Sequence, residues 1–301
     1  MDAAITGASG LIGRALLHRW RQAGHAVHPV VRRPSDDTAA IRWDPAAGTI
    51  DADSLEGVDT VVHLAGAGIG DKRWSDARKR EILESRTRGT GLVARTLAGM
   101  ATPPRVLVSA SAVGYYGSPG AEVVTEQSPP GDDFVAHVVQ DWEAAAQPAV
   151  DAGIRTVFLR FAPVMAGEGG ILPKMTLPFR LFVGGRLGRG DQWMSWVSLD
   201  DALAAVDFVL ARDDLAGPVN VTSPQPVTNA EMTTAIGRAL HRPGILTAPA
   251  LALRTALGRE MADSLLLVSQ RVHPGVLTEA GYEFIHPDIG SALAAALGNR
   301  S

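Results

Sequence analysis

The feature that most constrains the fold is a glycine-rich segment near the amino terminus, Thr6-Gly7-Ala8-Ser9-Gly10-Leu11-Ile12-Gly13. The short apolar run before it predicts a strand, and the pattern over residues 11–23 predicts a helix. Glycines three apart in this context allow a tight turn, close approach of the backbone to a pyrophosphate, and close packing of helix on strand. The segment therefore predicts a dinucleotide-binding loop, with phosphates at the helix amino terminus.

The first half of the chain continues as alternating apolar runs and helical patterns, which is typical of consecutive βαβ units. The further strands predicted in it are 26–31, 60–64, 105–109 and 156–160, and the helices are 75–98 and 133–151. Short strands near 41–43 and 218–221 complete the set. The sequence therefore predicts an α/β fold with a doubly wound parallel sheet of the Rossmann type.

Cofactor choice is decided where the second strand ends, at Val30-Val31-Arg32-Arg33-Pro34. An acidic residue at this place would bind the ribose 2′-hydroxyl of NAD, and none is present. Two guanidinium groups suit the 2′-phosphate of NADP instead. The alternative is a pair of solvated surface arginines. We therefore expect NADP(H) as the cofactor, held by Arg32 and Arg33.

From residue 167 onward, closely spaced glycines replace regular strand alternation, and a helix that opens near 198 returns the chain to the first domain. We expect residues 1–166, completed by about 198–222, to form the NADP(H)-binding domain. Residues 167–197 and 223–301 would form a smaller, interleaved substrate-side domain. That domain is predicted to be mixed α/β and mostly helical toward its carboxyl end.

The composition excludes several classes of function. The chain has no cysteine, so disulfides and thiolate chemistry are absent, and its eight histidines show no metal spacing, so no metal site is expected. A net charge of −4 gives no overall basic field for nucleic acid. No run reaches the roughly 20 apolar residues that span a bilayer, and no leader pattern is present. We expect a cytoplasmic monomer or homodimer, without a membrane or nucleic-acid partner, that acts on a small molecule.

Three segments resemble the extended short-chain dehydrogenase/reductase superfamily. They are the glycine-rich segment, Asp59-Thr60-Val61-Val62-His63-Leu64-Ala65-Gly66, and Ser109-Ala110-Ser111-Ala112-Val113-Gly114-Tyr115-Tyr116-Gly117. More narrowly, the chain resembles an atypical, nucleotide-sugar-epimerase-like group often called epimerase family protein, including its C-terminal domain. The segments that carry this narrower resemblance are Asp71-Lys72-Arg73-Trp74, Glu81, Ser85-Arg86, Asp141-Trp142-Glu143-Ala144-Ala145-Ala146 and Ser269-Gln270-Arg271-Val272-His273-Pro274.

The resemblance implies where the cofactor contacts lie. Besides the glycine-rich segment, they would fall on Val31, Arg32, Leu64, Ala65, Gly66, Glu81, Arg86 and Val164. Carboxyl ends of parallel strands line the ligand crevice in such a sheet, which agrees with most of these positions. Glu81 and Arg86 are five residues apart, so they need not share a helix face, and a solvated helix surface is an equal alternative.

The sequence departs from the superfamily at its catalytic pair. Oxidoreductases of this kind carry Tyr-x-x-x-Lys on the helix after the serine-bearing strand, where the lysine lowers the tyrosine pKa for proton exchange. The chain has three tyrosines, Tyr115, Tyr116 and Tyr282, and none is followed by lysine four residues later. The motif is absent, and apolar residues occupy the helix where it belongs.

Two hydroxyl groups are the catalytic candidates that remain. Ser111 corresponds to the superfamily serine that polarises a carbonyl, although it could equally bond local backbone at a strand end. Tyr115 or Tyr116 could replace the missing phenol, with a ring packed under the lid as the favoured alternative, and Tyr116 is the preferred substitute. Ser111 and Tyr116 are both expected in the loop after the strand 105–109, near the nicotinamide end of the cofactor.

Two hypotheses follow for the function. The first is an NADP-dependent oxidoreductase or epimerase that acts on a small carbonyl or sugar-like substrate with an unusual proton donor. The second is a non-catalytic NADP(H)-binding protein with a regulatory or scaffold role, because a fold and a cofactor site do not establish a reaction. The missing pair favours the second hypothesis, and the glycine-rich lid and Ser111 favour the first.

The arginine pair at the strand end generates a direct prediction. NADPH should bind at least tenfold tighter than NADH, a difference of about 1.4 kcal/mol that one charge-assisted ion pair supplies. Titration of both cofactors into the wild type and Arg32→Ala measures this preference. Equal affinities, or an undiminished preference in the variant, would contradict the assignment.

Overall fold

The structure is a computed structural model that describes residues 1–298. The strands, in chain order, are β1 (Asp2–Thr6), β2 (Ala26–Val31), β3 (Ile41–Asp44), β4 (Thr49–Ile50), β5 (Thr60–His63), β6 (Val106–Ala112), β7 (Val123–Val124), β8 (Arg155–Phe161), β9 (Val164–Met165), β10 (Gly185–Leu187), β11 (Trp193–Met194), β12 (Val197–Ser198), β13 (Gly217–Val221), β14 (Val227–Thr228), β15 (Leu246–Ala248) and β16 (Arg271–Val272).

The helices surround and follow these strands. In chain order they are α1 (Leu11–Gln22), α2 (Asp76–Ala98), α3 (Phe134–Ala144), α4 (Gln147–Asp151), α5 (Leu172–Arg180), α6 (Leu199–Leu210), α7 (Asn229–Leu240), α8 (Ala250–Leu257), α9 (Arg259–Leu265), α10 (Gly275–Glu279) and α11 (Ile289–Gly298). Short 3-10 helices lie at Asp53–Leu55 and Val113–Tyr116. No helix within residues 1–298 is long and apolar enough to cross a membrane.

Eight strands form one sheet in the order β13-β8-β6-β5-β1-β2-β3-β4. All neighbours are parallel except β3 and β4, which form an antiparallel pair at one edge. β1 pairs with both β2 and β5, so the chain reverses its direction of travel across the sheet at this point. The crevice outside the carboxyl ends of strands at such a switch point is where open α/β sheets bind ligands. The predicted doubly wound Rossmann fold is confirmed.

The two faces of the sheet are covered by different helices. Leu16 and Trp20, four residues apart on α1, pack with Val206 of α6 against one face. Leu92 and Leu97 of α2 pack against the other. Burying one such side chain stabilises the fold by about 2 kcal/mol, which fixes the helices on the sheet.

A third hydrophobic cluster lies outside the sheet, among residues that follow β8 in the chain. Its fully buried members come from α5, α7, α11 and the strands near them, and they are Met165, Leu172, Phe179, Trp196, Met232, Ile236, Ala292 and Leu293. These residues come mainly from the two segments predicted to form the smaller domain. The exact division at 166, 197 and 222 stays a prediction.

Asp201 fastens the last part of the described chain to the sheet. Ser198 caps α6 by accepting a hydrogen bond from the Asp201 N–H. The Asp201 carboxylate accepts hydrogen bonds from the Tyr282 hydroxyl and from the backbone N–H groups of Ile285 and His286. A carboxylate satisfied in this way is stable in the interior, so the 282–286 segment is held against α6.

Two sequence expectations are corrected here. The single helix predicted over 133–151 is two helices, α3 and α4, because Pro148 lacks the N–H that a continuous helix would use. The strand predicted over 105–109 extends to Ala112 as β6. Ser111 is therefore not in a loop after this strand, because it lies within β6 and pairs in register with Arg160 of β8.

Candidate functional site

The glycine-rich loop connects β1 to α1 with no free space at two of its glycines. Gly7 has a φ of +68°, and a Cβ there would lie 2.7 Å from the carbonyl carbon of Leu64. A Cβ on Gly13 would lie 2.4 Å from the Gly7 carbonyl oxygen. A Cβ on Gly10, the residue before α1, meets this same oxygen at 3.2 Å. The loop is thus closely packed at Gly7 and Gly13, while Gly10 keeps the approach to the helix amino terminus open.

Thr6 joins this loop to the end of β5. Its buried Oγ1 accepts hydrogen bonds from the N–H groups of Leu64 at 3.1 Å and Ala65 at 3.3 Å. It also lies 2.8 Å from Nδ1 of His63. Since the hydroxyl has one proton, it donates that proton to Nδ1, and His63 carries its own proton on Nε2. Burial lowers the pKa of His63 to about 4, so the ring is neutral.

Arg32 and Arg33 follow β2 directly and are exposed. Neither has an ion pair with an acidic residue in the described part of the chain. The nearest acidic residues in sequence are Asp36, which is exposed, and Asp37, which is bound to Arg21 at 2.8 Å. Val31, the last residue of β2, is half-buried. Two uncompensated guanidinium groups therefore stand at the carboxyl end of a strand next to the switch point.

Helix α2 holds the loop that follows β5. The Ala67 N–H donates to Ser85 Oγ at 3.1 Å, and Arg86 donates to the Ala67 carbonyl at 3.0 Å. Arg78, which is largely buried, donates to the Gly68 carbonyl. These contacts fix the path of the backbone at Gly66, where a Cβ would approach the Arg86 side chain to 3.6 Å.

Arg86 carries a charge that no neighbouring carboxylate neutralises in the described structure. Burial and the nearby charge of Arg78 lower its pKa to about 10, so it is still a cation at neutral pH. Its guanidinium lies 4.9 Å from the Trp142 ring centre, an interaction that stabilises a cation. A half-buried cation without an anion among the described residues, beside the loop after β5, is suited to a negatively charged ligand.

Glu81 and Val164, the two other residues expected to contact the cofactor, lie in different surroundings. Glu81 is mostly exposed and forms an ion pair with Arg78 at 2.7 Å. Val164 begins β9, and its carbonyl is 2.7 Å from a Cβ built on Gly170. The adjacent Gly169 packs against Leu11, the first residue of α1. The structure thus brings Val164 near the glycine-rich loop and leaves Glu81 facing solvent.

The two catalytic candidates meet in one buried network centred on Arg160. Ser111 donates to Oε1 of Glu143 at 2.6 Å. Arg160 forms a two-pronged ion pair with Glu143, both contacts being 2.8 Å, and also donates to the Tyr116 hydroxyl at 3.0 Å. That hydroxyl donates in turn to Asn220 Oδ1 at 2.8 Å. Both candidate hydroxyls are therefore already satisfied in the interior.

The electrostatics of this network follow from its burial. Burial raises the pKa of Tyr116, although the adjacent Arg160 opposes the shift. Burial acts against the charge of Arg160, but its hydrogen bonds and attraction to Glu143 raise the pKa of Arg160 above its usual value. Arg160 also stacks on Tyr115, with 3.4 Å from the guanidinium to the ring centre. The network is thus a charged but internally compensated cluster, and Tyr116 holds its proton.

Apolar side chains lie against the turn after β6, where a proton-relay pair would be expected. Val135 and Val139 are four residues apart on α3 and both are buried. A Cβ on Gly114 would lie 2.5 Å from a methyl carbon of Val135 and 3.9 Å from one of Val139. This face of α3 therefore presents two methyl-bearing side chains to the turn.

A strap from the carboxyl-terminal half, residues 269–273, crosses the same turn. The Gln270 side chain donates to the carbonyls of Val113 at 3.1 Å and Gly117 at 2.7 Å. Ser269 donates to the Gly120 carbonyl at 2.7 Å. The His273 carbonyl accepts from Asn220, the residue that binds Tyr116. The turn after β6 is therefore held from both the sheet and the strap.

These features fit a nicotinamide dinucleotide. The closely packed glycines expose the amino terminus of α1 to a pyrophosphate. Arg32 and Arg33 could hold a 2′-phosphate, and Leu64, Ala65 and the backbone near Val164 lie close to the glycine-rich loop. Fold and site together define a dinucleotide-binding protein of the Rossmann class.

Comparison with known proteins gives the family. The family model described as "NAD dependent epimerase/dehydratase family" matches residues 3–222, and a domain of unknown function, DUF1731, matches residues 248–296. The chain belongs to the NAD-dependent epimerase/dehydratase family, as the sequence resemblance predicted. An epimerase family protein of Mycobacterium bovis is 45% identical over 295 residues, which cover 97% of this chain and 96% of the relative.

Two solved structures show the same relationship. The human epimerase family protein SDR39U1 (isoform 2) with NADPH has a TM-score of 0.90 and 33% identity, covering 99% of this chain and 100% of the human chain. The nucleoside-diphosphate sugar epimerase from Corynebacterium glutamicum has a TM-score of 0.82 and 37% identity, covering 99% of this chain. The present chain spans 58% of the length of that C. glutamicum chain.

Sequence reasoning did not single out Glu143, Arg160 or Asn220 as site residues. One signal was available, because Arg160 interrupts an otherwise apolar run in a central strand, and a charged residue there needs a buried partner. Its partner is 17 residues away on another element, so the pairing itself needs the fold.

The glycine spacing predicts opposite outcomes for two valine substitutions. Gly10→Val should keep the fold, because its Cβ would lie 3.2 Å from the Gly7 carbonyl oxygen, a contact that a small shift relieves. It should lose NADPH binding, because its β-branched side chain would occupy the phosphate space. Gly13→Val should unfold or strongly destabilise the protein, because it clashes with the Gly7 backbone. Thermal unfolding by circular dichroism and NADPH titration separate the two effects. Normal NADPH binding by Gly10→Val would show that the loop does not hold the phosphates.

His63 predicts a pH dependence of stability. Its folded pKa of about 4 lies below the unfolded value of 6.5, so the unfolded chain binds the proton more readily. The free energy of unfolding should fall as the pH drops from about 6.5 to 4, by about 3 kcal/mol from this group. Urea unfolding across this range should show a smaller loss for His63→Asn. His137→Asn, at an exposed histidine, is the control and should keep the wild-type slope. The same slope in all three proteins would contradict the buried neutral assignment.

Proposed function

We propose that this chain is an NADP(H)-binding protein that selects NADPH through Arg32 and Arg33. The observation that carries the proposal is the uncompensated guanidinium pair at the carboxyl end of β2, where the first acidic residue after the strand is Asp36. A phosphate gains charge-assisted hydrogen bonds from such a pair, whereas a hydroxyl does not. The NADPH in the structure of human SDR39U1 supports the same choice.

Arg86 adds a second point of attachment in this proposal. It is a half-buried cation on α2, and its guanidinium donates a hydrogen bond to the Ala67 carbonyl in the loop after β5. Charge attraction in a partly buried site is screened little by salt. We therefore assign Arg86, Leu64, Ala65, Gly66 and Val164 to the cofactor crevice. Glu81 acts on this crevice indirectly, by holding Arg78.

We further propose that the protein turns over generic carbonyl substrates slowly or not at all. A hydride that reaches a carbonyl leaves an alkoxide, which needs a proton from a positioned acid. The Ser111 and Tyr116 hydroxyls are engaged within the Arg160 network, and the raised pKa of Tyr116 makes its proton hard to release. Val135 and Val139 present no acid to the turn. A regulatory or scaffold role for the bound cofactor agrees with this arrangement.

An NADP-dependent oxidoreductase or epimerase acting on a carbonyl or sugar-like substrate is the second candidate. The observation that favours it is Tyr115, whose ring stacks on Arg160 and whose hydroxyl has no hydrogen-bond partner within the described residues. Bound NADPH would supply the hydride. Tyr115 could then give its proton to the alkoxide, while Arg160 stays fixed by Glu143 and keeps the ring in place. The epimerase names of the relatives agree with this candidate.

Steady NADPH oxidation distinguishes the two candidates. We expect the wild type to oxidise NADPH weakly or not at all across aldehydes, ketones and nucleotide sugars, since a positioned acid is commonly worth about 10² to 10⁴ in rate. Robust turnover would instead support the oxidoreductase or epimerase. In that case Tyr115→Phe should abolish it, with Ser111→Ala and Tyr116→Phe as the comparison. Activity lost only in the latter two would identify them as catalytic.

A further inference from the structure

A cluster of apolar side chains protrudes from the part of the molecule outside the large sheet. We call it the apolar tip and define it by the residues Leu177, Leu181, Phe182, Val183, Ile245 and Leu246. Their exposed fractions range from 47% for Leu246 to 80% for Ile245. Single exposed apolar residues are common, but a contiguous group of large ones marks a surface that another phase or molecule covers.

The tip is contiguous because two segments are joined by backbone hydrogen bonds. β10 and β15 are parallel partners, and the Leu246 N–H donates to the Gly184 carbonyl at 3.3 Å. Leu177 lies in the last turn of α5, and Leu181 directly follows the helix as its C-cap. The two are four residues apart, so they lie on the same side of the helix end. Phe182 continues directly from them. The tip therefore combines a helix end with a neighbouring strand start.

Phe182 is held outward by an uncommon backbone conformation. Its φ is +59°, in the left-handed region that bulky residues rarely adopt, and its side chain is 61% exposed. This conformation ends α5 as a Schellman cap, in which the Val183 N–H donates to the Pro178 carbonyl at 2.9 Å and the Phe182 N–H donates to the Phe179 carbonyl at 3.0 Å. The cap leaves the aromatic ring exposed.

The two chain segments that form the tip are basic. Residues 169–190 and 232–259 contain no aspartate or glutamate, although the whole chain has a net charge of −4. The basic residues in these two segments are Lys174, Arg180, Arg186, Arg189, Arg238, Arg242, Arg254 and Arg259. Such a local excess in an acidic protein is a directional electrostatic feature.

Half of these basic residues form ion pairs with acidic residues. Lys174 contacts Asp71, Arg189 contacts Asp191, and both Arg254 and Arg259 contact Asp263. The other four have no acidic partner within residues 1–298. The residues that remain uncompensated are Arg180, Arg186, Arg238 and Arg242. Arg180 lies between the two leucines of α5, and the Arg242 guanidinium is 4.6 Å from the Phe182 ring centre. Free positive charge is therefore interleaved with the apolar tip.

We propose that the apolar tip docks onto an anionic lipid surface, with its hydrophobic side chains in the interface and the arginines on lipid phosphates. This combination of protruding apolar residues and flanking cations is the one that interfacial association requires. The expectation of no membrane partner rested on spanning segments, and surface docking needs none.

Two other occupants fit less well. A second copy related by a two-fold axis would bring the same uncompensated arginines together, which is unfavourable. An amphipathic acidic peptide needs a groove to receive its apolar face, and the groove lined by Arg238 and Arg242 includes none of the six apolar residues that define the tip. Charge complementarity and shape together favour a lipid surface.

Flotation with lipid vesicles tests the proposal. The full chain is mixed with vesicles of equal parts phosphatidylcholine and phosphatidylglycerol, or of phosphatidylcholine alone. We expect binding to the anionic vesicles to be at least tenfold stronger and to weaken with added salt. Leu181→Ser with Phe182→Ser, and separately Arg180→Glu with Arg242→Glu, should each lower binding at least tenfold. Val150→Ser and Arg105→Glu, at exposed positions on other elements, are the controls and should bind as the wild type does.

Folding and self-association are measured on the same proteins. Each variant should keep the wild-type circular dichroism and NADPH affinity, since none lies in the cofactor crevice. The absence of binding to anionic vesicles, equal binding to neutral vesicles, or undiminished binding by both double variants would overturn the proposal. A wild-type dimer that Leu181→Ser with Phe182→Ser dissociates, without vesicle binding, would assign the tip to a second copy instead.

Discussion

The ion pair between Arg160 of β8 and Glu143 of α3 places two opposite charges in the interior, next to the carboxyl end of β6. Removing one member of such a pair commonly costs about 3–5 kcal/mol, because the other is left charged and buried. Ser111, Tyr116 and, through Tyr116, Asn220 arrange their polar groups around this pair. The ion pair therefore orients the side chains between α3 and the turn after β6. It also engages the Ser111 and Tyr116 hydroxyl groups in hydrogen bonds.

The cofactor crevice is built on a different principle, the absence of side chains. Gly7 and Gly13 bring β1, α1 and the end of β5 into direct backbone contact, and Thr6 closes the remaining gap with its hydroxyl. Positive charge is then placed around this compact centre without carboxylates to neutralise it. The result is a site whose shape is set by packing and whose proposed preference for NADPH rests on charge. The fold alone fixes neither the substrate nor the reaction.

The sequence was sufficient for features that depend on local pattern. The glycine loop, the arginines after β2 and the order of strands and helices all follow from spacing within a few residues. The network around Arg160 does not, because Tyr116 and Asn220 are 104 residues apart and Ser111 and Glu143 are 32 apart. Ser111 was therefore expected in the loop after the strand, either free to bind a carbonyl or bonded to local backbone, whereas β6 includes it and Glu143 accepts its hydrogen bond. The break between α3 and α4 could have been predicted from Pro148, which lacks a backbone N–H, but the apolar periodicity over 133–151 favoured one continuous helix.

The strap over residues 269–273 has a consequence for the way in which the molecule is made. The turn at 113–117 emerges early in synthesis, and the Gln270 donors that hold it emerge after roughly half of the polypeptide has followed. A ribosome-bound chain can assemble the central strands and the glycine loop while this turn still lacks those bonds. A chain that ends before residue 269 would therefore lack the Ser269 and Gln270 hydrogen bonds that hold this turn from the carboxyl-terminal half.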